Sequence, residues 1–178
     1  MTISTTTQNT KHKTQIRQTP AYALITGLFI LPFVVYIAIA NHYFINAPYL
    51  DDFSVVLDPI NMALSTNDLG IQIRALFLPN AGHLPVITRL TALLQIKYFG
   101  SIDFKESLFF ANAGWILTTL TLIFYFRRSL ALSWLALLPI PFLMLNINHW
   151  EAMDFITPAW QMYWGSALLP VLLFIALV

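Results

Sequence analysis

Hydrophobic positions along this chain fall into four long runs, separated by mixed or polar stretches. Residues 20–40, PAYALITGLFILPFVVYIAIA, carry no charge. At about 1.5 Å of rise per residue, a helix of that length crosses a hydrocarbon core about 30 Å thick. Pro32 lies inside the run and is expected to kink it, which membrane helices tolerate. Residues 107–126, SLFFANAGWILTTLTLIFYF, form a second uncharged run, closed at once by Arg127 and Arg128. Residues 129–145 form a third, shorter and holding Pro139 and Pro141, and residues 163–178 open a fourth. The pattern predicts an all-α, polytopic transmembrane protein with about four membrane helices.

The stretches between the runs read differently. Residues 1–19 are polar and Thr-rich, and predict a disordered tail. Within residues 41–106, the stretch 83–99 places Leu84, Ile87, Leu90, Leu94 and Tyr98 near helical spacing, along with Arg89 and Lys97. That predicts an amphipathic helix lying along the membrane surface rather than crossing it. A shorter one is expected over 69–78. Residues 146–162 read as a polar-aromatic loop.

Composition agrees with a lipid solvent. The chain is 58% hydrophobic and 10% charged, against about 45–50% and about 25% for soluble domains. It has no cysteine, which excludes disulfides and Cys-based metal or redox sites. The net charge is +1, so there is no general pull towards polyanions, and nucleic acid is not expected as a partner.

Charge placement sets an orientation. With the N-terminus in the cytoplasm, Lys11, Lys13, Arg17, Arg127 and Arg128 lie inside, and all 8 acids lie outside. Residues 41–106 and 146–162 are then extracytoplasmic loops. A crossing by 83–99 would reverse Arg127 and Arg128, which is why that helix is kept interfacial. The competing reading of the first run is a cleaved signal peptide, since basic residues precede it and Ala38-Ile39-Ala40 has the form of a cleavage site. The length of the run favours an uncleaved anchor.

Three places carry candidate chemistry. Asp51 and Asp52 stand together where charges are scarce. They are either a solvated turn after a helix, or a general base and divalent-cation ligand pair. In 79–90, PNAGHLPVITRL, His83 can move protons near neutral pH and Arg89 can grip a phosphate; the alternatives are a helix cap and a snorkelling side chain. In 148–164, Glu151 and Gln161 lie among Trp150, Trp160 and Trp164. These aromatics form either an interfacial belt or a platform for sugar rings.

In order, these features are a basic tail, one membrane helix, YLDDF at 49–53, NAGHLPVITRL at 80–90, and WEAMDF with AWQMYW across 150–164. The arrangement resembles the N-terminal part of bacterial membrane glycosyltransferases of the GT-C class. The resemblance spans residues 20–178. It departs at 81–82, where Ala-Gly replaces the family's Glu, and in the Trp spacing. It implies a multi-pass enzyme of the bacterial inner membrane that takes a sugar from a polyprenyl-phosphate donor to a glycan, lipid or protein acceptor. Asp51 or Asp52 would be the base or would contact a divalent cation. His83 would orient the substrates, and Arg74, Arg89 or Lys97 would face the phosphate. Trp150, Glu151 and Gln161 would line the sugar cleft. Such enzymes carry many more membrane helices, so this chain would correspond to their first part. The alternative reading is a non-enzymatic membrane assembly or lipid-binding protein. A channel or transporter is disfavoured because the first three runs hold no ionisable residue in their interiors.

Overall fold

The computed structural model describes residues 6–154 and 156–177. It is all-helical, with no strand among the described residues. Three helices are long and apolar enough to cross a membrane: Tyr22–Tyr43, Phe104–Ser129 and Ile156–Leu177. The first is the apolar part of α1 (Thr6–Tyr43) and the second is α5 (Phe104–Ser129). The third joins α9 (Ile156–Ala159), a π-helical stretch Trp160–Leu168, and α10 (Leu169–Leu177). In the apolar window of α5, 44% of residues are buried, against 17% and 11% in the other two, so α5 is the central element.

The bundle is tied together near one end. Tyr36, Ala40 and Phe44 of α1 pack with Phe104 and Leu108 of α5, and with Leu145, Met153 and Ile156. Inside that contact the Tyr36 hydroxyl donates to Asn112 Oδ1 at 2.5 Å. Asn112 Nδ2 in turn donates to the carbonyls of Leu108 and Met153 at 2.8 and 2.9 Å. The hydroxyls of Thr118, Thr119 and Thr121 donate to carbonyls one turn back, which satisfies them without water. Gly114 lets the last span close in. A Cβ there would stand 2.7 Å from the Trp164 indole, whose Nε1 donates to Phe110 and Ala111 carbonyls at 3.1 Å.

The third apolar run departs from expectation. In place of one membrane helix over 129–145 there are two short helices, α6 (Trp134–Leu137) and α7 (Pro139–Met144). Together they are too short to count as a span, so the structure contains three long apolar helices rather than about four. Pro139 and Pro141 each remove a backbone donor, and α6 begins only after Ala131 (φ 49) and the Ser133 cap. The segment nevertheless packs along both long helices, α1 and α5. Trp134 meets Phe29 edge-on and lies under Arg127, while Met144 accepts a bond from Trp115 and Leu145 packs with Tyr36.

Two other boundaries move. Of the stretch 1–19, expected to be a disordered tail, residues 1–5 lie outside the described residues and α1 begins at Thr6. The loop expected over 146–162 is largely helical: a 3-10 turn Ile147–His149, α8 (Trp150–Asp154), and the start of the last span.

Between α1 and α5 the chain builds a small helical cap. A π-helical turn Phe53–Leu57 leads into α2 (Asp58–Leu64), followed by α3 (Leu69–Leu76) and α4 (Val86–Phe99). The last two realise the amphipathic helices expected at 69–78 and 83–99. Asp68 caps α3 by accepting from Gly70 at 2.7 Å, and Asp103 caps α5 by accepting from Glu106 at 2.8 Å. Gly100, at φ 79, ends α4 in the left-handed conformation. Val55, Val56, Ile60 and Ala92 form the cap's own core.

Arg89 holds this cap together. Its side chain is fully buried, donating from Nε to the Val55 carbonyl at 2.7 Å and from Nη1 to Leu76 and Leu78 at 3.0 and 2.5 Å. The positive charge meets the free carbonyls at the C-terminus of α3, where the helix dipole favours it. The opposite side of α4 is apolar and outward: Leu84, Ile87, Leu90, Leu94 and Tyr98 are all exposed. A helix that buries an arginine and exposes its leucines suits a surface next to lipid.

Candidate active site

The acidic pair sits where the first loop turns into the cap. Leu50 adopts φ 43, and the Asp52 amide then donates to the Tyr49 carbonyl at 3.0 Å. Asp52 Oδ2 accepts from the Tyr49 amide at 3.1 Å, closing the turn from the other side. The two neighbours differ sharply: Asp51 is exposed, whereas Asp52 is 2% exposed. Burial pushes the Asp52 carboxyl up to about 6, against the pull of the Tyr49 N–H and with the help of the Asp51 and Asp154 carboxylates. Burial also raises Asp154.

Asp51, Asp52 and Val55 line a cavity of about 320 Å³. A second wall comes from a tight turn in which Asn80 and His83 exchange both backbone bonds, at 2.9 and 2.8 Å. Its central residues, Ala81 and Gly82, have φ 46 and 82, as a turn of the type I′ class requires. This turn presents His83 to the cavity. The third wall is the start of the last span, through Thr157, Pro158 and Gln161.

Thr157 and Gln161 are one helical turn apart, so they share a face. Thr157 Oγ1 and Gln161 Nε2 are both buried and have no hydrogen-bond partner among the described residues. Buried polar groups are seldom left so, and such orphans deserve a functional explanation. Two further marks of a working site surround them. π-helical stretches, which concentrate at functional positions, begin beside Asp52 and at Trp160. Ala81, at φ 46, lines the same cavity, and Leu50, at φ 43, directly precedes Asp51.

The structure thus brings together Asp51, Asp52, His83 and Gln161 from the residues singled out by sequence. Arg89 lies beneath, occupied with backbone carbonyls. Arg74 and Lys97 are exposed in the last turns of α3 and α4, outside the cavity lining, with the Lys97 ammonium 5.9 Å over the Tyr98 ring. Trp150 borders a neighbouring apolar cavity of about 400 Å³ with Tyr43 and Asp154. The Glu151 side chain lies outside the described residues. Trp160 and Trp164 stack on each other at 5.6 Å and serve the packing of the last span.

Thr157 is the residue that sequence reasoning missed. Its signal was the i, i+4 relation to Gln161, hidden because 146–162 read as a loop. Chemically, the lining offers two carboxylate acceptors, an imidazole, two side-chain amides and a hydroxyl, with no Lys or Arg among the cavity-lining residues. Such a set favours a neutral group rich in hydroxyls over a phosphate. No group of three or more His, Cys, Asp or Glu suited to a metal ion occurs among the described residues. No family model, curated protein or solved structure gives a significant match to this chain.

Proposed function

We propose that this chain is a membrane glycosyltransferase unit of the GT-C kind, working at the Asp51–Asp52 cavity. The observation that carries the reading is the buried Asp52 in a cavity it shares with Asp51, His83, Thr157 and Gln161. A carboxylate with a pKa near 6 is largely ionised at neutral pH, yet basic enough to take a proton from a hydroxyl as that oxygen attacks. Thr157 and Gln161 orient the acceptor, and His83 holds its neighbouring hydroxyl or the leaving oxygen. Asp52 takes the proton as the acceptor oxygen bonds to the anomeric carbon, and the donor's phosphate leaves with the electron pair of the broken bond. Attack opposite the phosphate inverts the anomeric centre. The growing phosphate charge is met from outside this cavity, whose lining holds no Lys or Arg.

The charge pattern supports an N-terminus in the cytoplasm and the cavity outside, and the resemblance implies a bacterial inner membrane. Asp52 and Asp154 act on each other electrostatically and so share one end. With the N-terminus inside, the chain must return to the outer face between Arg128 and Asp154. The exposed apolar stripe of α4 then rests in the outer interface, beside a polyprenyl chain in the bilayer.

The test is transfer from a polyprenyl-phosphate donor labelled in its sugar, using membranes that hold the full chain. Asp51→Asn with Asp52→Asn should abolish transfer while leaving membrane insertion intact. Undiminished transfer by the double variant overturns the reading and favours the non-enzymatic alternative.

A further inference from the structure

A cavity of about 740 Å³ lies at the other end of the bundle, between α1 and α5. Near the cavity of the acidic pair these helices touch through Tyr36 and Asn112, and through Phe44 and Phe109, whose rings are 5.3 Å apart. Towards Tyr22 and Arg127 a groove opens between them instead. One face of α1, from Tyr22 to Phe33, forms one wall, and α5 from Leu120 to Arg127 forms the other. The lining is almost wholly apolar, with Arg127 at the end of the α5 wall and its guanidinium carbon 5.5 Å from the centroid of the Trp134 ring, which meets Phe29 of the α1 wall edge-on.

We propose that this groove is a binding site for one acyl chain of an anionic phospholipid, with the headgroup phosphate held by Arg127. Depth and charge both point to this occupant. From Tyr22 to Phe33 the groove follows about 16 Å of helix, close to the depth of one leaflet in a hydrocarbon core about 30 Å thick. The cation stands at the end of a membrane-length helix, at headgroup level rather than at mid-bilayer. Contact with Trp134 engages a face of the guanidinium and leaves its in-plane N–H donors for a phosphate. Basic pockets between membrane helices are a recurrent way of holding anionic lipid headgroups. A second copy of this chain fits less well. A two-fold contact through the groove would bring two Arg127 side chains together, and the groove lining supplies no carboxylate to separate them.

This inference needs only that the apolar helices lie in a bilayer, and it is independent of chemistry at Asp52. Native mass spectrometry of the purified full chain, titrated with phosphatidylglycerol or phosphatidylcholine, tests it. Wild type should retain phosphatidylglycerol preferentially. Arg127→Gln should reduce that preference about five-fold, the factor one basic residue supplies near an anionic surface. Arg128→Gln, whose side chain does not line the groove, should leave it unchanged. Ile30→Trp, which fills the groove, should lower retention of both lipids. Equal loss in Arg127→Gln and Arg128→Gln would mean general surface charge and overturn the proposal. So would unchanged retention in Ile30→Trp, or a wild-type dimer that Ile30→Trp dissociates.

Discussion

The Arg89 guanidinium donates to the Val55 carbonyl at 2.7 Å, fixing the backbone three residues beyond Asp52. An arginine that sequence offers as a phosphate ligand is instead the internal brace of the site. Arg89→Met should leave the Val55, Leu76 and Leu78 carbonyls without their donor, at a cost of about 3 kcal/mol or more. Arg89→Lys should not restore stability, because one ammonium cannot span carbonyls on two segments as the guanidinium fork does. Thermal unfolding in detergent checks both. Wild-type stability in Arg89→Met would contradict the bracing role.

Asp52 should make the fold less stable as pH rises. Its folded pKa of about 6 lies above the usual 3.8, so between these values the folded state holds the proton and the unfolded state has lost it. Stability therefore falls from about pH 4 to pH 6 and is level above that, with a loss of up to about 3 kcal/mol from this group. Asp52→Asn should flatten the window and raise stability at pH 7.5. Unfolding midpoints at pH 4.5 and 7.5 for both proteins make the comparison, and an equally steep slope in the variant would remove Asp52 from this role.

Gly114 is set by contact rather than by backbone conformation. Gly114→Ala places a methyl 2.7 Å from the Trp164 indole, so the last span must move away from α5. A loss of about 1–3 kcal/mol is expected. The emission of the five tryptophans should change with it, since Trp164 would lose its bonds to Phe110 and Ala111. Gly165→Ala, open on all sides, is the matched control and should be silent.

The α4 stripe gives a positional prediction. A polarity-sensitive probe at Leu94, whose side chain is exposed, should report an apolar environment when the chain sits in bilayers. An aqueous signal at Leu94 in bilayers would detach α4 from the interface.

The long spans were legible because an uncharged apolar run admits few alternatives: Tyr22–Tyr43 and Phe104–Ser129 lie within a few residues of where the runs place them. The acidic pair, His83 and Gln161 were legible as residue types, and the cavity they share came only from the folded chain. Two things were not legible. Pro139 and Pro141 were visible, but how far they would break the third run depended on packing against Trp115 and Tyr36. The role of Arg89 depended on carbonyls, which every residue carries and no sequence pattern marks.

The most direct test of the account is the rate of sugar transfer from pH 5 to pH 8 in wild type and Asp52→Asn. The account predicts a wild-type rate that climbs through about pH 6 to a plateau, and a variant at least about a hundred-fold slower with no such limb. A variant that keeps the wild-type rate and the same rise through pH 6 would contradict Asp52 as the base.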